Sequence, residues 1–351
     1  MFRSKLQFFT NYSTPVFEYT VKADANENLL DYPEDLQILI ADILNKSVKD
    51  LCFYPEINSQ PLKQELAKFY NLKEENFIIG NGSDQIIQII IQAACDKDDF
   101  IFTLYPSFAM YKITADLFDV NHSFIDITQN WEIDVEETVK KIGKNERIKV
   151  IFIDTPNNPT GIALDYEKLK MIVKSFPEKL VVIDNAYGEY CDIDYLSLVL
   201  QNENVIILKT FSKIGFAGIR CGYAIGNERI IENLHKVKPP YNVNILSQQI
   251  AISLLKNFDR LKDNIDTVKN ERLRMANALK SFYFVLPSQA NFISIVDDEV
   301  DYIFDYLKDK KILVKKFDTG FKKLLRITLG KPVDNDIILE NLINYKRGKQ
   351  I

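Results

Sequence analysis

Cysteine and histidine are scarce in this chain, four of the first and two of the second in 351 residues. Cys52, Cys95, Cys191 and Cys221 show no C-x-x-C spacing, so neither a zinc site nor a disulfide framework is expected. No metal is expected, and free thiols suit a reducing compartment, the cytoplasm. Long apolar runs are lacking too. The most apolar helical stretch, "IIQIIIQAAC", is interrupted by glutamines and far too short to span a bilayer. The opening "MFRSKLQFFTNYSTP" shows no apolar secretion-signal core before its polar residues and proline, so neither export nor a membrane is expected. Excess positive charge is missing as well. With 44 basic against 49 acidic residues the net charge is −5, which argues against nucleic acid as a partner. Repeats, low-complexity tracts and long flexible linkers are not found either.

What is present is the balance of a folded soluble protein, 46% apolar and 26% charged residues. The length exceeds one ordinary core and predicts a large domain with a smaller one. Short β-rich runs alternate with amphipathic segments through the first two-thirds. "NFIIG" (76–80) precedes a helical pattern starting near Asp84, and "FIFTL" (100–104) precedes one from Ser107 to Phe118. "HSFIDI", "KVIFID", "LVVID", "VIILK" and "CGYAIG" are further strand candidates. "DVEETVKKIG" and "DYEKLKMIVKSF" read as helices opened by an acidic residue. Near-continuous apolar strands alternating with helices predict an α/β fold, its sheet mostly parallel and covered on both faces. After about residue 230 two long helical patterns, roughly 242–256 and 258–281, lead into "NFISIV". A helix near 300–309, "LLRITLG" and a last helix follow, the texture of a smaller α+β domain.

Open parallel sheets bind ligands at the carboxyl ends of their strands. There the sequence places Asn81-Gly82-Ser83-Asp84, Tyr105-Pro106-Ser107-Phe108, "TPNNPTG" (155–161), "DNAYGEY" (184–190) and "TFSK" (210–213). Taken singly, most have a plain structural reading. "GNGSD" serves as a tight turn with a helix cap, or as amide donors to a phosphate, and it lacks the third glycine of a dinucleotide fingerprint. "TPNNPTG" alone is a proline-built loop. Asp184 is harder to dismiss. A carboxylate at the core end of an apolar strand needs a cationic partner, and no Lys or Arg is near it in sequence. A ligand's protonated nitrogen would serve. In "TFSKIGFAGIR" the amine of Lys213, the hydroxyls of Thr210 and Ser212 and the guanidinium of Arg220 gather after the strand "VIILK".

Asn158-Pro159-Thr160-Gly161, Asp184 with Tyr187 in D-x-x-Y, and Ser212-Lys213 with Arg220 resemble the signature of the aspartate-aminotransferase fold family. These are pyridoxal-phosphate enzymes of fold type I. Within the family, "DANEN" (24–28), "YPE" (54–56), "SKIGFAGIRCGY" (212–223) and "LLRITLG" (324–330) are most similar to histidinol-phosphate aminotransferases. The likeness runs through essentially the whole chain. It implies a large domain on a mostly parallel seven-stranded sheet (36–232), a small α+β domain (233–351), and an N-terminal arm with a small-domain segment (1–35).

The resemblance also implies roles. Lys213 would hold pyridoxal 5′-phosphate covalently and move the substrate proton. Asp184 would keep the pyridine nitrogen protonated, Tyr187 and Asn158 would hydrogen-bond the ring O3′, and Phe108 would stack on the ring. The phosphate would take Thr210, Ser212, Arg220 and the amides of Gly82 and Ser83, beside Asp84. Tyr54 would reach the neighbouring subunit's cofactor phosphate, giving a homodimer with shared active sites. Arg326 would grip the substrate's anionic end, with Asn26 and Tyr54 near it. The implied reaction passes an amino group between L-glutamate and a phosphorylated amine or ketone, histidinol phosphate first. The arm departs from the family pattern, with no glycine after Pro15 and Leu29 after Asn28. A smaller phosphorylated ketone or amino alcohol, or decarboxylation of a phosphorylated amino acid, therefore stays open. A nucleotide-dependent Rossmann enzyme is opposed by the missing glycine and by Lys213. A non-catalytic relative is opposed by the intact Lys213, Asp184, Tyr187 and Arg220.

Overall fold

The computed structural model describes residues 2–9 and 17–349. Residues 10–16, which carry Pro15 and part of the expected arm, lie outside the described residues. A short strand, β1 (Val21–Lys22), and two helices, α1 (Glu34–Ser47) and α2 (Gln60–Tyr70), come first. The alternating region follows with β2 (Phe77–Gly80), α3 (Gly82–Ala94), β3 (Phe100–Tyr105), α4 (Met110–Leu117), β4 (Asn121–Asp126) and α5 (Val135–Gly143). It continues with β5 (Ile148–Asp154), α6 (Tyr166–Ser175), β6 (Leu180–Asp184), α7 (Leu196–Gln201), β7 (Val205–Thr210), β8 (Gly222–Gly226) and α8 (Glu228–His235).

Strands β2 to β8 form one seven-stranded sheet in the order β2-β8-β7-β6-β5-β3-β4. Only β8 runs against its neighbours, so the sheet is mostly parallel as the apolar runs predict. Along β5, Val150 and Phe152 enter one core layer and Ile151 and Ile153 the other. Helices cover both faces, so both sides of each strand must be apolar and the strands read as continuous runs. The acidic helix starts are N-caps: Asp134 accepts from the Glu137 amide, and Asp165 from those of Glu167 and Lys168.

Two helix starts differ from expectation. α3 begins at Gly82, ahead of Asp84, and no side chain caps it, so the capping reading of "GNGSD" does not hold. α4 begins at Met110 rather than Ser107, because the Ser107 hydroxyl is drawn across to Asp154 at 2.8 Å.

The rest of the chain builds α9 (Ile245–Lys256), α10 (Lys262–Leu279), β9 (Phe284–Val285), β10 (Phe292–Val296), α11 (Val300–Asp309), β11 (Ile312–Leu313), β12 (Lys315–Asp318), β13 (Lys323–Thr328) and α12 (Pro332–Gly348). A four-stranded antiparallel sheet, β12-β13-β10-β9, is packed by α10 and α11, and α12 packs on those two helices. β1 pairs in parallel with β11, which ties the N-terminal segment to this second unit. α9 packs on α1 and α2. No helix among the described residues is long and apolar enough to cross a membrane.

Strand order positions the site. β3 leads outward to β4, whereas β5 leads through β6 and β7 the other way. The crevice expected at such a reversal opens between the carboxyl ends of β3 and β5, beside Asp184.

Candidate active site

Lys213 lies in a tight turn just past β7 that is stabilised from within. The Thr210 hydroxyl accepts from the Ser212 amide at 3.1 Å and donates to the Ser212 hydroxyl at 2.9 Å. Gly215, at φ +113, closes the turn, and Tyr190 donates to the Lys213 carbonyl at 2.8 Å. Burial pushes the Lys213 amine down to about 8, with the Arg326 charge adding to the effect. The amine lies 5.7 Å from the Tyr187 ring centre and 3.4 Å from the Ala25 carbonyl. A second lysine, Lys209, is buried close by. It is ion-paired to Glu189 at 3.0 Å, which keeps it charged.

Asp184 ends β6 and is 5% exposed. It accepts from the Tyr111 hydroxyl at 2.7 Å and the Ala186 amide at 3.1 Å, neither of them cationic. Burial raises its carboxyl to about 6, against the pull of the Tyr111 bond and of Lys213. Tyr187, three residues on, is buried with its hydroxyl accepting from the Asn26 side chain at 2.9 Å. Asn26 holds that pose with φ +55 and a mutual bond to Thr328 on β13.

Asn158 and Arg326 meet directly. The Arg326 guanidinium donates to the Asn158 side-chain oxygen at 2.5 Å and to the Asp24 carbonyl. It stands between the rings of Phe292 and Phe317, 5.4 and 5.1 Å from their centres. The bond joins the two units across the crevice.

Arg220, at φ +48, pairs with Asp84 at 3.0 Å. A Cβ on Gly82 would fall 2.6 Å from the Arg220 guanidinium, and one on Gly222 2.7 Å from the Ser83 amide. Only glycine at both places allows backbone amides and guanidinium to share this concave corner. Phe108 is half-buried and stands edge-on to Tyr111, whose own ring stacks on Phe152 at 4.7 Å. Tyr54 does not join the group within its own chain. It is 82% exposed and stacked on Tyr241.

Tyr111, Thr328, Phe292 and Asp154 were not singled out beforehand, and Ser107 and Tyr190 stood in strand-end stretches without a role of their own. Of the four, Asp154 carried a signal, since "KVIFID" ends on a carboxylate just as "LVVID" does. Volume is a poor guide here. A cavity of about 1050 Å³ lies at the other end of the sheet, before β7 and after β8, beside Asn76, Glu203 and His235.

The donor set fits pyridoxal phosphate. It offers an amine poised to lose its proton and a buried carboxylate lacking a cation in contact. It adds a phenol, and a glycine-walled corner of amides and guanidinium.

Comparisons with known proteins agree. The family model "Aminotransferase class I and II" matches residues 21–342. The chain is 36% identical to the histidinol-phosphate aminotransferase of Thermoanaerobacter sp. (strain X514) over 346 residues, 97% of each chain. It is 33% identical to that of Clostridium kluyveri over 348 residues, again 97% of each. A solved structure, histidinol-phosphate aminotransferase from Sinorhizobium meliloti in complex with pyridoxal-5′-phosphate, shares the fold. Its TM-score is 0.85 at 22% identity, covering 95% of this chain and 92% of that one.

Proposed function

The chain belongs to the class I and II aminotransferase family, and on that premise we propose its substrates: L-glutamate with 2-oxoglutarate, and a small phosphorylated amine with its carbonyl counterpart, histidinol phosphate first. The cofactor is pyridoxal 5′-phosphate. Bound, it supplies an aldehyde for the amino group and a cationic ring that delocalises the electron pair left at Cα. Lys213 would hold it and carry the proton between Cα and C4′. Asp184 would keep the ring nitrogen protonated, exchanging an unpaired buried charge for a paired one. Tyr187 and Asn158 would bond the ring O3′, and Phe108 would cover one ring face. Arg220, aimed by Asp84, would meet the phosphate with Thr210, Ser212 and the amides of Gly82 and Ser83.

Arg326 carries the substrate reading, with Asn26 beside it. A buried guanidinium that bears electrostatically on Lys213 favours an anionic substrate end, and both substrates of one pocket must share it. The near full-length likeness to enzymes named for histidinol phosphate supports a phosphorylated partner. The test is a panel of phosphorylated and unphosphorylated amino acceptors, each with glutamate. Removing the phosphate should cost at least about a hundredfold in kcat/KM, since buried donors lose their partner. Equal efficiency without phosphate, or carbon dioxide release from a phosphorylated amino acid without amino transfer, contradicts the reading.

Tyr54 supports a homodimer. It is exposed together with Val48, Leu51 and Phe53, an apolar surface that a second copy would cover while Tyr54 reaches the partner's cofactor phosphate. Four free thiols suit the cytoplasm.

A further inference from the structure

We infer that Asp154, at the end of β5, is a positioning residue that fixes both loops around the cofactor ring. These are the Ser107–Phe108 turn on one side and the Asn157–Asn158 turn on the other. The inference rests on reading Phe108 and Asn158 as ring contacts. Asp154 stands opposite Asp184 in the register of β5 with β6, at the mouth of the crevice, and is 4% exposed. Its oxygens accept from the Ser107 hydroxyl at 2.8 Å and the Asn158 backbone amide at 2.9 Å. The Asn157 side-chain amide lies 3.1 Å from each oxygen and also donates to the Pro106 carbonyl at 3.0 Å. One carboxyl and one amide thus knot the two loops together.

The chemistry of the knot explains a carboxylate here. Every group pointing at Asp154 is a donor, and an ionised carboxylate is the side chain that only accepts. A lone turn could be capped by Ser or Asn without burying a charge. Burial holds the Asp154 carboxyl up at about 6, while the Asn158 and Ser107 bonds pull it back. Packing is open on one side of the knot. A cavity of about 280 Å³ lies against Asp154, Asn157 and Thr160, walled by Trp131, Ile133 and Leu286. Through Asn158 the knot also sets the partner of Arg326.

The test uses the holoenzyme with two readouts besides turnover. They are amide hydrogen exchange of peptides covering 106–111 and 155–161, and the pH midpoint of the visible absorbance of the lysine-bound cofactor. Asp154→Asn keeps the shape but turns one acceptor into a donor facing Asn157. Exchange should quicken at least about tenfold in both peptides, and the midpoint should move the same way as in Asn158→Ala. Ser107→Ala should loosen 106–111 alone. Wild-type exchange in both peptides of Asp154→Asn, with an unmoved midpoint while Asn158→Ala moves it, overturns the inference. Should Asp154→Asn not fold, wild-type exchange at 106–111 in Ser107→Ala overturns it equally. An unmoved midpoint in Asn158→Ala removes the ring reading beneath it, and the inference with it.

Discussion

Lys213 and Asp184 are both held away from their ordinary charge states, and each shift has a measurable consequence. With its amine near 8, about a tenth of Lys213 is neutral at pH 7, against roughly one in 3,000 for an ordinary lysine. Capture of the cofactor aldehyde by the cofactor-free protein should therefore show a midpoint near 8. Arg326→Gln should raise that midpoint, because one of the charges disfavouring the ammonium is gone. A midpoint unmoved in the variant contradicts the assignment. Asp184 works the opposite way. Its carboxyl, raised to about 6, stabilises the fold only while protonated, so the contribution is complete below about 4 and lost as pH rises through 6. At pH 7 the cofactor-free protein bears a cost of up to about 3 kcal/mol from this raised carboxyl. Asp184→Asn should thus raise the Tm of the cofactor-free protein at pH 7 and hardly alter it at pH 4, while stopping the chemical step. Thermal melts at the two pH values check this, and a lower Tm at pH 7 refutes it.

At the scale of elements, the phosphate corner depends on the contact between the start of α3 and the start of β8. Gly222→Ala places a Cβ 2.7 Å from the Ser83 amide and must push the two apart. Cofactor binding should weaken at least about tenfold, with kcat at saturating cofactor little changed; an unchanged dissociation constant contradicts the corner's role. Strands β2 to β8 and helices α3 to α6 were legible because the strands are continuous apolar runs and the helices amphipathic, each bounded by turns, whereas α7 and α8 were not read. α1 and α2 were not read in advance. In α1 the apolar residues lie on both sides, Leu36 buried and Ile38 64% exposed, which blurs the single stripe of a surface helix. The two-residue strands β1, β9 and β11 are too short to show any period. Of the site, Lys213, Asp184 and Arg220 were legible from strand-end position and residue type. The Asn26 to Tyr187 bond spans 161 residues, and no local pattern encodes which distant loops meet. Tyr111 reads as an ordinary core aromatic until its hydroxyl is seen on Asp184.

At the scale of the whole molecule, the proposed shared site requires two copies. Mixing an inactive Lys213→Ala chain with a severely impaired Tyr54→Ala chain should restore some activity through hybrid dimers, since one of the two sites regains both residues. A fully active monomer in sedimentation refutes the shared site. The central claim is that the lysine at the end of β7 holds the cofactor, and the chain carries its own control for it. Lys209 lies in β7 itself and is paired with Glu189, whereas burial and Arg326 lower the proton affinity of Lys213 in the turn that follows. Borohydride reduction of the holoenzyme followed by peptide mass mapping decides between them. The account predicts a single reduced adduct, on Lys213; an adduct on Lys209, or none on either lysine, contradicts it.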